Sequence, residues 1–267
     1  MSFQPVIPAG GNLGWTLLQN SRQSQQEAFN TSTQIKTNTD YFRENIGKIS
    51  TAEELVADRR LFSVALGAYG LGDDINNRFF VQKVLEEGTL NQDSFANRLA
   101  DKRYFQISAA FGFDLQPPNT ALSDFADKVT SLYEERQFEV AVGDQDGNLR
   151  LALGFDREIE QIATSDVSEE TAWFQVMANP ALRSVFEGAL GLPSEIGAVD
   201  IDQQLREFRT KSEAVFGTSN PSSFANSELQ EELVRKFLVR AELSGNTSLT
   251  SAGTVALTLL QAIQPQN

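Results

Sequence analysis

The chain contains no histidine and no cysteine among its 267 residues. The missing cysteine excludes disulfides, thiolate nucleophiles, iron–sulfur ligation and every cysteine-based zinc site. The missing histidine removes the commonest general base, the Ser-His-Asp arrangement and the commonest transition-metal ligand. Carboxylate chemistry is what remains, so a non-enzymatic protein is expected, with no catalytic or metal-ligating residue and no cofactor. Positive charge is also scarce: 22 Lys and Arg face 36 Asp and Glu, for a net charge of −14. Asp58-Arg-Arg60 and Asp101-Lys-Arg103 carry their own acids, so no basic cluster interrupts that field. Such a surface repels nucleic acid and anionic headgroups, and no nucleic-acid partner is expected. There is no run of about eighteen apolar residues, so no membrane insertion is expected. The start, Met1-Ser-Phe-Gln-Pro-Val-Ile-Pro8, lacks the basic stretch and apolar core of a cleaved signal peptide.

What is present points to a folded helical protein. Hydrophobic residues make up 40% of the chain, with 19 phenylalanines, enough for a substantial core. Period-2 alternation is essentially absent, and apolar residues recur at helical spacing. Two stretches match without gaps at an offset of 121: Leu61-Phe-Ser-Val-Ala-Leu-Gly-Ala-Tyr-Gly-Leu71 and Leu182-Arg-Ser-Val-Phe-Glu-Gly-Ala-Leu-Gly-Leu192. Ser94-Phe-Ala-Asn97 returns as Ser223-Phe-Ala-Asn226. The expected fold is an all-α helical array with an internal duplication of one multi-helix unit. Its segments are a polar N-terminal helical region (1–49), a first repeat (50–117), connecting helices (118–180), a second repeat (181–245) and a C-terminal helix and tail (246–267). The repeats should bury Leu61/Leu182, Val64/Val185 and Leu71/Leu192 at equivalent places. Repeated units usually build scaffolds or surfaces.

Local signals set the expected helices. Thr51-Ala-Glu-Glu54 is a capping box opening one helix through Leu61 to Gly67 or Gly70. Ile75, Phe79, Phe80, Val84 and Leu85 form the apolar side of the next, which stops at Gly88. Acidic pairs such as Glu53-Glu54 and Glu134-Glu135 sit about 100° apart on a helix and do not converge on a substrate. Asp144-Gln-Asp-Gly-Asn148 has oxygens like a calcium loop, but Leu149 stands at position six and Phe155 at position twelve. It therefore reads as a turn between helices. The glycines of Gly67-Ala-Tyr-Gly-Leu-Gly72 follow no strand, so their recurrence at Gly188 and Gly191 suggests close helix approach or left-handed caps.

One segment stands out as a candidate partner-binding element. From about Asn12 to Tyr41 a helix rich in Gln, Asn, Ser and Thr carries only a narrow apolar stripe, with Trp15, Leu18 and Phe29 as its candidate contact residues. It is either a segment ordered by a partner or a loosely packed surface helix.

Several segments together resemble the bacterial domain-of-unknown-function family 1217, whose genes sit among flagellar clusters. They are Asp58-Arg-Arg-Leu61, Ala68-Tyr-Gly-Leu71, Val84-Leu-Glu-Glu-Gly88, Ser94 through Tyr104, Phe111-Gly-Phe113, Tyr133 through Glu139 and Asn148 through Leu153. The resemblance spans residues 12–245 and implies a flagellum-linked role with protein partners, without catalytic residues to carry over. The expected function is a structural or assembly protein acting through helical surfaces; the alternative is a cytoplasmic chaperone or regulator of flagellar export. The expected location is correspondingly the cytoplasm, or outside it after export by the flagellar apparatus.

Overall fold

The structure, a computed structural model, describes residues 3–249. Of the C-terminal helix and tail expected over 246–267, residues 250–267 lie outside the described residues. Within them the chain is all-α: thirteen helices joined by short loops and 3-10 turns, with no strand among the described residues.

The chain divides into two compact units. The first comprises Leu18–Gln145 and the residues before Ile7, the second Asp146 onward with Ile7–Leu17. Residues 118–145 group with residues 18–117 in the first unit. In the first unit, α2 (Thr33–Asn45), α3 (Ala52–Ala57) and α8 (Phe125–Gly143) all pack on α4 (Arg59–Ala68). Between α4 and α8 come α5 (Arg78–Glu87), α6 (Phe95–Arg98) and α7 (Arg103–Phe111). Helix α4 is buried nearly all round: Leu61, Phe62, Val64, Ala65, Leu66 and Ala68 are at most 1% exposed. In the second unit, α9 (Gly147–Ala163), α10 (Glu169–Ala178), α12 (Ile201–Phe216) and α13 (Ser227–Leu249) pack on α11 (Pro180–Leu190). Its core is aromatic: Trp173 lies 5.2 Å from Phe186 and 5.6 Å from Phe208, and Phe186 lies 5.2 Å from Phe224. The indole N–H of Trp173 donates to the Ser219 carbonyl at 2.6 Å, which satisfies its polar edge.

Two expected helices are broken in two. The N-terminal helix is α1 (Gly11–Asn30) followed by α2, with Ser32 extended between them (φ −62°, ψ 145°). Asn30-Thr-Ser-Thr33 puts four short polar side chains in a row, and these compete with backbone helix bonds; the Thr31 hydroxyl turns back to the Ala28 carbonyl. The capping-box helix is as expected at Thr51, whose hydroxyl accepts from Glu54 N–H. It ends at Asp58, which leaves helical geometry and caps α4 by accepting from the N–H groups of Arg60 and Leu61. Phe79 is a further correction: it is 83% exposed, because Val81, Val84 and Leu85 form the inward stripe of α5.

The 121-residue offset reappears in backbone detail. Asn179 caps α11 from the N–H groups of Ala181 and Leu182, as Asp58 does for α4. Leu71 N–H returns to the Leu66 carbonyl over left-handed Gly70 (φ 70°), and Leu192 N–H to the Glu187 carbonyl over Gly191 (φ 65°). Gly67 gives passage to α8, since a Cβ there would sit 2.8 Å from the Tyr133 ring. Gly188 does the same for α13, where a Cβ would sit 2.6 Å from the Phe237 ring. Three residues further along these helices, the Arg136 and Arg240 guanidiniums lie against Gly70 and Gly191. Leu61, Val64, Leu71, Leu182 and Val185 are buried as expected, whereas Leu192 is only half-buried. The Ser-Phe-Ala-Asn recurrence does not carry over: Phe95 is half-buried in α6, and Phe224 is fully buried in a 3-10 turn.

Candidate functional site

The sequence nominates Trp15, Leu18 and Phe29, and the structure places them mainly inward. Leu18 is 1% exposed and Phe29 7%, with the Phe29 ring 5.7 Å from Phe138 in an edge-to-face contact. Trp15 is half-buried. Polar residues of α1 add to that docking. Gln26 donates to the Glu134 carbonyl at 3.1 Å, Asn30 to the Glu134 carboxylate at 2.9 Å, and Arg22 pairs with Glu135 at 3.6 Å. A helix rich in Gln and Asn can thus pack on its own globule through hydrogen bonds rather than a wide apolar stripe, which a reading of hydrophobic periodicity misses. Between α1 and α8 runs an open polar groove of about 580 Å³, lined by Gln19, Arg22, Gln23, Gln26 and Glu134 among others. Burial raises the Glu134 carboxyl above its usual range, partly offset by Arg43 at 3.8 Å.

The other motifs have local structural work. Asp146 of the acidic turn caps α9 by accepting from the N–H groups of Asn148 and Leu149. Glu54 closes the capping box, and hydrogen bonds from Ser50 and Thr51 hold its carboxyl below the usual range. Among the described residues, no group of three or more carboxylates converges as a metal site would. A second, smaller pocket of about 240 Å³ is lined by Tyr69, Leu122, Phe125 and Val129. Burial pushes the Tyr69 phenol up to about 12, partly offset by the charge of Arg136. That keeps it a neutral hydroxyl rather than a base.

The surface that periodicity did not reveal lies at the starts of α5 and α7. The rings of Phe80 and Tyr104 meet edge-to-face, 5.3 Å apart, joining the two helices. Tyr104 donates to Asp74 at 2.7 Å, which fixes the ring, and burial together with that carboxylate raises its phenol well above the ordinary value. Phe79 and Phe105, each one residue from this pair, are 83% and 36% exposed. An aromatic that exposed gains nothing from the core, and aromatic side chains are enriched where proteins meet. The only signal in the sequence was a phenylalanine pair on a helix with room for one inward ring.

Comparison with known proteins bears on the fold and the family. No curated protein matches. A crystal structure of an Agrobacterium tumefaciens protein is similar, with TM-score 0.67 and 25% sequence identity, covering 88% of this chain and 97% of that one. The family model described as "Protein of unknown function (DUF1217)" matches residues 68–238. That match takes in more than half of the chain, from the end of α4 to the buried stripe of α13, and the chain belongs to this family.

Proposed function

We propose that this chain is a non-enzymatic structural or assembly protein of the bacterial flagellum, working through helical protein–protein surfaces. The observation that carries the interaction reading is the exposure of Phe79 and Phe105, each next in sequence to the half-buried Phe80–Tyr104 pair that a ring contact and a hydrogen bond hold in place. Aromatics presented on rigid elements form the centre of many interfaces, since little conformational entropy is lost on contact. The flagellar assignment rests on the resemblance and on membership of the family.

We also propose that the two units are copies of one ancestral helical unit. The matched caps at Asp58/Asn179, the glycine passages at Gly67/Gly188 and the guanidiniums at Arg136/Arg240 support this. The offset shrinks from 121 at the glycines to 104 at Tyr133/Phe237 and Arg136/Arg240. The second copy accordingly goes from its 3-10 turn Pro221–Ala225 directly into α13, without a counterpart of α7.

Deleting the gene and scoring swimming tests the flagellar role; normal swimming defeats it. Fractionation then separates the two flagellar roles. Protein that co-sediments with filaments supports a building part, and protein confined to the cytosol supports a chaperone or regulator of export.

A further inference from the structure

The smaller pocket holds a polar group that the fold does not use. Tyr69 lines it and is 9% exposed, yet its hydroxyl makes no hydrogen bond to any described residue. The other three tyrosines of the chain each have a side-chain partner: Tyr41 donates to Asp58, Tyr104 to Asp74, and Tyr133 accepts from Asn38. A buried hydroxyl without a partner is costly, and such groups are rare enough to call for an explanation. Packing does not supply one. At the offset of 121 the second unit has Leu190, 2% exposed, which fills its place with no polar atom. The Tyr69 ring is held edge-to-face by Phe111 at 6.4 Å, and Phe111 in turn by Phe125 at 5.0 Å.

The rest of the lining says what the hydroxyl could meet. Ala110, Leu122, Phe125 and Val129 form apolar walls. Asn119 also lines the pocket; its amide N–H groups donate to the carbonyls of Ala109 and Ala110 at 3.3 and 3.0 Å, which leaves its side-chain oxygen as an acceptor. Asp124 and Lys128 pair at 2.6 Å, so their charges cancel and no charged ligand is favoured. The pocket therefore offers apolar walls, one neutral O–H donor and one amide acceptor. A peptide backbone beside an apolar side chain presents the matching set: a carbonyl for Tyr69 and an N–H for Asn119.

Size and surroundings point to a protein as the source of that group. The pocket measures about 240 Å³, below the ~300–1,000 Å³ of sites that enclose a drug-sized ligand. Apolar surface continues past its lip: Leu122 is 55% exposed, and Leu115, which flanks Asn119 at Gly112, is 37% exposed. A small pocket within a wider apolar rim is the form of an interface anchor site. We propose that this pocket takes one leucine- or phenylalanine-sized side chain of a protein partner, with its backbone bonded to the Tyr69 hydroxyl and the Asn119 side-chain oxygen. The site shares no residue with the Phe79–Phe105 surface and does not rest on the flagellar reading.

N-acetyl-leucine methylamide carries such a side chain between two peptide groups and serves as the probe. Its binding to the full chain is followed through the backbone amide chemical shifts of Phe125 and Val129. Saturable shifts are expected with a millimolar dissociation constant, and none with N-acetylglycine methylamide. Tyr69→Phe keeps the ring and should weaken binding about threefold to tenfold. Its Tm should be unchanged or higher, because no hydrogen bond within the fold is lost. Leu122→Asp, at the exposed lip, should weaken binding about tenfold or more with the fold kept. Absence of a saturable shift, an equal response to the glycine compound, or undiminished binding by Tyr69→Phe overturns the proposal. A lowered Tm for Tyr69→Phe does so too, since the hydroxyl would then be used inside the fold. Shifts that appear on raising protein concentration alone would make a second copy the occupant. Tighter binding of isocaproamide, which has the apolar group and an amide but no flanking backbone, would make it a free small molecule. Either result overturns the assignment to a partner protein.

Discussion

Gly188→Ala is the substitution that tests the packing logic most sharply. In a helix interior, alanine for glycine should stabilise by about 1 kcal/mol, because the unfolded chain loses freedom. Here the new methyl would lie 2.6 Å from Cδ2 of Phe237, a ring only 5% exposed and so unable to swing into solvent. Overpacking of this kind costs about 1–3 kcal/mol, so the clash outweighs the propensity gain and a net loss of about 1 kcal/mol is expected. Denaturant unfolding followed through Trp173, in a Trp15→Phe background, reads it within the same unit. The expected drop in Tm is about 2–4 °C. Phe237→Leu in the same chain should recover most of the loss, and Gly147→Ala, where no atom lies within 4 Å of the new Cβ, should show none. Gly67→Ala should repeat the result against Tyr133. If Gly188→Ala is as stable as the parent or more so, α11 and α13 do not approach as described.

Removing either equivalent cap, by Asp58→Ala or Asn179→Ala, should cost about 1 kcal/mol in denaturant titrations; a loss at one position only would weaken the equivalence of the units. Burial acts to raise the Asp58 carboxyl, but hydrogen bonds from Leu61 N–H, the Tyr41 hydroxyl and Arg60 N–H outweigh it and hold it below its usual range. Its folded value is therefore depressed, so the stability it contributes is present above the ordinary aspartate value and is lost as pH falls through the folded value; Asn179 should show no such dependence. Because Leu18 and Phe29 are buried, trypsin should cut the native chain slowly at Arg22, and rapid cleavage there in mild conditions would restore the idea of an N-terminal segment that orders only on a partner.

The sequence announced the helices more clearly than their breaks. Gly88 ends its helix as capping rules require, and Thr51 opens its own through the full capping box. The break at Asp58 was hidden because aspartate fits both as a polar position on a helix and as a cap, and the choice depends on burying Leu61 and Val64 together. The docking of α1 was hidden because, beside Phe29, its contacts to α8 run through Gln26 and Asn30, which leave no apolar pattern. The recurrence of glycines was legible because a ring pressing on Gly67 or Gly188 admits no side chain. The recurrence of Ser-Phe-Ala-Asn is a resemblance without equivalent packing. The aromatic surface escaped because periodicity assigns every apolar residue inward, and only packing shows that α5 closes its core face without Phe79.

The most direct test of the central claim is swimming of a strain whose own copy carries Phe79→Ser and Phe105→Ser, with protein level and thermal unfolding measured alongside. Phe79 is 83% exposed and Phe105 36%, so stability should change by no more than about 0.5 kcal/mol at the first and by about 1 kcal/mol at the second. The expected result is normal protein level and fold with swimming lost or strongly reduced. Normal swimming by this strain, where the deletion strain does not swim, would contradict it.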